Sequence, residues 1–140
     1  ISSRDLWSGE VAFPGGMWME GDRDILETAA RELWEETGMR LGEDAKVLGV
    51  LDEVAPSNMP QHKVTPFLAE AKGRPRIKLG EELASYFWAR ASSLEPTEKI
   101  RRDSNGGYRV FPGFRYSAWI IWGVTGRILK QILELLGRRF

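Results

Sequence analysis

The sequence predicts a domain built from both helices and strands, and three observations predict it. Residues 24–37 carry aliphatic and alanine side chains at helical spacing and stop at Gly38. Residues 47–54 and 63–71 are aliphatic runs bounded by Gly, Pro and Asn, which is the pattern of strands. Residues 117–136 lay an apolar side, made by Trp119, Ile120, Ile128, Ile132, Leu135 and Leu136, along a second helical length. These periodicities by themselves fit any α+β domain. The 140 residues, with no linker dividing them, have the size of one domain spanning 1–140.

Taken in order, Arg4, Asp5, Trp7, Ser8 and Gly9 precede a short apolar run at residues 11–13, read as a strand that feeds Pro14, Gly15 and Gly16. Trp7 is either an aromatic packed at a sheet edge or a surface for stacking a base. The paired glycines suit a turn, because Gly tolerates positive φ, and their place ahead of an acidic helix also suits close approach of the backbone to phosphates. The helix takes Asp22 or Asp24 as its N-cap and buries Ile25, Ala29, Ala30 and Leu33. Between the two central strands, APSNMPQHK is a polar loop holding His62, the chain's only histidine, read as solvated. Pro66 belongs at a bulge or an edge, since it has no N–H to give a ladder.

Residues 79–90 place Glu81 and Glu82 ahead of an aromatic run, a turn entering a strand at Tyr86. Asn105, Gly106 and Gly107 mark a hairpin turn before a short strand at 108–111. The final helix then runs over 117–136.

Composition limits what the protein does. Twenty basic and twenty acidic residues cancel, and the basic ones are scattered, so the footprint of a general nucleic-acid binder is missing. The absence of cysteine excludes disulfides and thiolate metal sites. The longest apolar run is too short to span a bilayer and no secretory signal opens the sequence, so the expectation is a soluble, cytoplasmic protein without membrane contact.

Chemistry concentrates in FPGGMWMEGDRDILETAARELWEETGM, residues 13–39. At roughly 100° per residue, Glu32, Glu35 and Glu36 fall on neighbouring positions of one helical face. Three anions so close repel each other, and a hard divalent cation, which prefers carboxylate oxygens, would remove that penalty. A solvated acidic face with Arg31 as an intrahelical partner is the plain alternative.

The order Arg31, Glu32, Glu35, Glu36, Gly38, with Leu33 and Met39 at the aliphatic positions and Gly16 upstream, resembles the Nudix box, REUxEExGU with U an aliphatic residue. Asp22 stands where the family usually has glutamate, and the interval from Asp22 to Arg31 is one residue longer than usual. The lead-in WSGEVAFPGG, the lengthened box GDRDILETAARE and the later WGVTGRIL are similar to the Nudix subgroup of coenzyme A diphosphatases.

The resemblance implies an α/β/α sandwich with a mixed sheet between the box helix and the terminal helix. One or more strands normally precede this point in the family, so part of the sheet is expected upstream of Ile1 or completed in another way. The resemblance also implies hydrolysis of the pyrophosphate bond in a nucleoside diphosphate derivative, with Mg2+ or Mn2+ as cofactor. Glu32, Glu35, Glu36 and the Gly15 carbonyl are the implied metal ligands, and Arg31 orients the carboxylates. Gly15, Gly16 and Glu82 are implied at the substrate, with Trp7 as the stacking candidate and Arg4 as the basic residue for a 3′-phosphate if that substrate is coenzyme A. ADP-ribose, dinucleoside polyphosphates and nucleoside triphosphates stay open as substrates, as does a module that binds a nucleotide without cleaving it. The expected partner is a small nucleotide and not a nucleic acid polymer, with a homodimer left open.

Overall fold

A computed structural model describes residues 10–140. The elements in chain order are α1 (Ile25–Thr37), β1 (Ala45–Val50), β2 (Phe67–Ala71), a short 3-10 turn (Ala91–Ser93), β3 (Glu95–Arg102), β4 (Tyr108–Tyr116), β5 (Trp119–Trp122) and α2 (Gly123–Leu135). The α/β class expected from the sequence is the one found. The strands pair antiparallel, and the parallel pairing among the described residues is the isolated bridge between Leu41 and Ala45. Among the described residues, no helix is long and apolar enough to cross a membrane. The described residues form two compact units, one of residues 13–52 and 65–87, the other of residues 10–12, 53–64 and 88–140.

The first unit holds α1, β1 and β2. Asp24 caps α1, its side chain accepting from the Glu27 N–H at 2.8 Å, and Gly38 ends it at φ 74°, with its N–H returned to the Trp34 carbonyl. Glu27 also accepts from the Arg23 backbone N–H and side chain, so the first turn is closed from both directions. Of the expected buried stripe, Ala29, Ala30 and Leu33 are half-buried, whereas Ile25 is 51% exposed and Thr28 and Thr37 are buried. The threonines go inside because their hydroxyls are satisfied, Thr28 by Asp22 and Thr37 by the Leu33 carbonyl. The hairpin of β1 and β2 is shorter than the two apolar runs. Its register shifts between Val47 and Gly49, leaving Leu48 as an exposed bulge. Pro66 lies just outside β2, where its carbonyl accepts from the Leu51 N–H and its missing N–H costs nothing.

The second unit is the meander β3-β4-β5 with α2. Its core is Leu94, Phe114, Ile121, Leu129 and Leu133, with Val11, Ala91 and Tyr116 packed against it. Several expectations are corrected here. Residues 11–13 form no strand, and neither do residues 82–90, including Tyr86. The strand expected to stop at residue 111 continues to Tyr116 through Pro112, which is tolerated because β5 pairs with β4 only from Gly113 onward and leaves Pro112 without a partner in β5. The expected helix over 117–136 divides. Trp119 and Ile120 belong to β5, joined to β4 by Ser117 and Ala118, and helix follows only from Gly123. The buried side of α2 is therefore Ile128, Leu129 and Leu133, and Leu135 and Leu136 are each 64% exposed. Gly126 lets the helix seat on β5, since a Cβ there would lie 2.9 Å from the Ile121 carbonyl oxygen.

Candidate active site

The carboxylate face is organised by an ion-pair network around Arg31. Its Nε donates to Asp22 Oδ1 at 3.0 Å and its Nη2 to Asp22 Oδ2 at 3.1 Å, a bidentate pair. Nη2 also donates to the Met17 carbonyl, and Nη1 reaches Glu32 at 2.9 Å and Glu35 at 3.3 Å. One guanidinium thus ties the loop after the paired glycines to the helix that carries the carboxylates. The longer interval and the aspartate do not disrupt this pair. Residues 19–22 form a tight turn, with the Asp22 N–H on the Met19 carbonyl, and the shorter aspartate side chain is delivered to Arg31 from there.

Asp22 is buried and accepts, besides Arg31, the Met19 N–H and the Thr28 hydroxyl. The Arg31 contact first, then the Met19 N–H, hold its carboxyl down at about 2. Asp22 in turn raises Arg31 above its ordinary range, so the pair stays ionised throughout the physiological range. Sequence reasoning placed Asp22 by spacing alone and missed Thr28, whose signal was a small hydroxyl in the first turn of a helix, where apolar residues would be expected.

Glu32 and Glu36 lie one turn apart beneath the glycine loop. The Gly15 backbone comes close enough to Glu36 to draw its carboxyl down, against larger influences that raise it. A Cβ on Gly16 would fall 2.5 Å from the Glu32 carboxyl carbon, so Glu32 occupies the space that a side chain on the loop would need. This is the physical reason for glycine at position 16. Partial burial first, then the hydrogen bond and charge of Glu32, push the Glu36 carboxyl up to about 7, and Glu82 adds to that repulsion. The structure therefore brings Gly15, Gly16, Glu32 and Glu36 together, with Arg31 holding Glu32 and Glu35 at the border and Glu82 near enough for its charge to act on Glu36. Glu35 is exposed and turned to Arg31. Glu81 and His62 are exposed. Arg4 and Trp7 lie outside the described residues.

Gly80, which sequence reasoning passed over, docks its own segment on the end of α1, two residues ahead of Glu82. Its N–H donates to the Glu36 carbonyl at 3.0 Å and the Lys78 N–H donates to the Thr37 carbonyl at 2.8 Å, so this segment caps carbonyls that the end of α1 leaves open. A Cβ on Gly80 would lie 2.7 Å from the Glu35 carbonyl oxygen. Glycine before two carboxylates was the available signal.

Among the described residues, no three histidine, aspartate or glutamate side chains are already arranged around a metal position. The reason is visible in the network, where Arg31 draws Glu35 aside and shares Glu32. The donor set nevertheless fits a hard divalent cation. Glu32 and Glu36 lie close enough for Glu32 to raise the Glu36 carboxyl, a repulsion that a cation would remove, and the glycine loop leaves backbone close by without a side chain in between.

Comparison with known proteins gives the family. The NUDIX domain family matches residues 2–111. The chain is 32% identical to the uncharacterized Nudix hydrolase NudL of Pectobacterium atrosepticum over 89% of its own length and 66% of the relative's. It is 30% identical to the mitochondrial coenzyme A diphosphatase NUDT8 of Mus musculus over 94% of the chain and 65% of that protein. Against NudL of Yersinia pestis strain Pestoides F the identity is 31%, over 91% of the chain and 64% of the relative. The chain thus spans just under two thirds of the length of these relatives. With the box residues on one helical face, the paired glycines against Glu32 and Glu36, and a domain match over most of its length, this chain belongs to the Nudix family.

Proposed function

We propose that this chain hydrolyses the pyrophosphate bond of a nucleoside diphosphate derivative in the presence of Mg2+ or Mn2+, and that coenzyme A is the substrate. The observation that carries the reading is the Glu32 and Glu36 pair beneath Gly15 and Gly16, with Glu36 raised to about 7. Glu32 and Glu36, then Glu35 and the Gly15 carbonyl, are the groups that would hold the cation. Bound there, a divalent ion offsets the phosphate charge that repels incoming water and stabilises charge on the leaving phosphate.

The chain's own residues supply the rest. Arg31, anchored on Asp22, keeps Glu32 and Glu35 beside the cluster, from which they would turn to a cation. The glycine loop admits the diphosphate against backbone. A carboxylate at this cluster, Glu36 or the neighbouring Glu82, accepts the proton that the attacking water loses. The water oxygen becomes bonded to one phosphorus, the bridging P–O bond breaks, and two phosphate monoesters leave. For coenzyme A these are adenosine 3′,5′-bisphosphate and 4′-phosphopantetheine.

The mouse relative, a coenzyme A diphosphatase, and the subgroup lead-in WSGEVAFPGG support coenzyme A over other diphosphates. The test is turnover of coenzyme A, ADP-ribose and a dinucleoside polyphosphate with product identification, in wild type and Glu36→Gln. The expected result is a specificity constant highest for coenzyme A and a loss of about 100-fold or more in Glu36→Gln with the fold intact. A higher constant for ADP-ribose overturns the substrate. Turnover of Glu36→Gln within a few-fold of wild type overturns the site.

A further inference from the structure

The hairpin of β3 and β4 carries a second cluster that the carboxylate site does not use. Arg101 and Arg109 are directly opposite each other across the antiparallel pair. Like charges at such a position repel and destabilise a hairpin. Lys99 is opposite Phe111 two residues along, so by strand alternation three cations share one face of the hairpin with Phe111.

Both guanidiniums are held by aromatic rings and not by anions. Arg101 lies 5.5 Å from the Trp122 ring centre and Arg109 lies 5.3 Å from that of Phe111, and the two rings are 5.1 Å apart. Trp122 is itself fixed, its Nε1 donating to Glu10 at 3.0 Å. Among the described residues, neither arginine has a carboxylate within ion-pair distance or an acceptor for its side-chain N–H groups. Ring contacts hold a guanidinium by its face and leave its donor edge free, the edge that matches two oxygens of an anion.

We propose that Arg101 and Arg109 form a binding site for a phosphate monoester dianion. Two opposed guanidiniums present two positive charges to one ligand, and a dianion between them removes the cross-strand repulsion while filling both donor edges. A phosphodiester, with a single negative charge and two esterified oxygens, satisfies only half of this arrangement. The assignment therefore favours a small phosphorylated metabolite over the backbone of a polymer. It does not depend on the reaction proposed above, because none of its residues belongs to the carboxylate cluster.

The experiment is an NMR titration of the full chain, following the arginine side-chain Nε–H resonances, with adenosine 5′-monophosphate and separately with its 3′,5′-cyclic phosphodiester at constant ionic strength. The two probes share base and sugar and differ in phosphate charge. The expected result is a saturating shift at Arg101 and Arg109 with the monoester, at least about fivefold tighter than with the cyclic diester. Arg109→Gln should abolish the shift at Arg101, and Arg109→Lys should retain part of it. Shifts that rise without saturating, as those of the exposed Arg74 and Arg76 would, overturn the site. Equal affinity for the two probes overturns the monoester assignment, and an unchanged Arg101 response in Arg109→Gln overturns the shared site.

Discussion

The Asp22 carboxylate accepts four hydrogen bonds from three residues, and it is the group through which the glycine loop and the helix are joined. Its carboxyl is held at about 2, below the ordinary 3.8, chiefly by Arg31 and then by the Met19 N–H. Between these two values the unfolded chain binds more protons than the folded one, so stability rises with pH there. The contribution is complete above the ordinary carboxylate value and lost as pH falls through about 2. Asp22→Asn should therefore lower the denaturation midpoint at neutral pH, with the gap to wild type closing as the medium is acidified toward about 2. Urea titrations at a series of pH values check this, and a gap independent of pH would remove the ion pair as its cause. Glu36 behaves oppositely, since its raised carboxyl favours the proton that a metal must displace. Millimolar Mg2+ or Mn2+ should raise the melting temperature more at about pH 8 than at about pH 5.5, and Glu32→Gln should blunt the rise. An unmoved melting curve at both pH values would leave the carboxylates as a surface cluster only.

At the scale of elements, two junctions decide where side chains end up. The segment 78–80 closes the C-terminal end of α1 by two backbone hydrogen bonds, and Gly80 permits this because its Cα approaches the Glu35 carbonyl. Gly80→Ala should cost about 1–2 kcal/mol by forcing that contact apart. Because Glu82 follows directly, the same variant should lose turnover and part of the metal-induced melting shift. Unchanged turnover in a destabilised variant would show that the segment only caps the helix. The second junction is the β4–β5 hairpin, closed by Ser117 and Ala118 with Ser117 at φ 53°. A serine in the left-handed region bears a steric penalty that glycine avoids, so Ser117→Gly should stabilise the chain by about 0.5–1 kcal/mol, read as a higher denaturation midpoint at constant m. A loss of stability would mean that the serine hydroxyl makes a compensating contact.

Across the molecule, chemistry is divided between the two compact units. One carries the carboxylate helix, the glycine loop and Gly80, and the other carries the apolar core of the meander and the arginine pair of its hairpin. Charge is balanced overall yet locally separated, with Glu32, Glu36 and Glu82 concentrated at one site and Arg101 and Arg109 at another.

What the sequence determined by itself was whatever depends on near neighbours in the chain. Asp24 and Gly38 bound α1, helical spacing puts Glu32 and Glu36 one turn apart, and Asn105-Gly106-Gly107 turns the hairpin, because caps, periodicity and turns are set by local backbone geometry. The box motif and the family followed from such local patterns. Tertiary structure decided what depends on partners distant in sequence. The strand expected to stop at residue 111 runs on through Pro112, and only the pairing shows that β5 ends at Trp122, opposite Gly113, and so leaves Pro112 without a partner in β5. Residues 117–122 were read as helix because their apolar side chains fit its period, and pairing with β4 overrode that preference through a turn lacking glycine or asparagine. The rise of Glu36 to about 7 likewise required burial and the approach of Glu32 and Glu82, since the environment of a charge is a property of the folded neighbourhood and not of the residue.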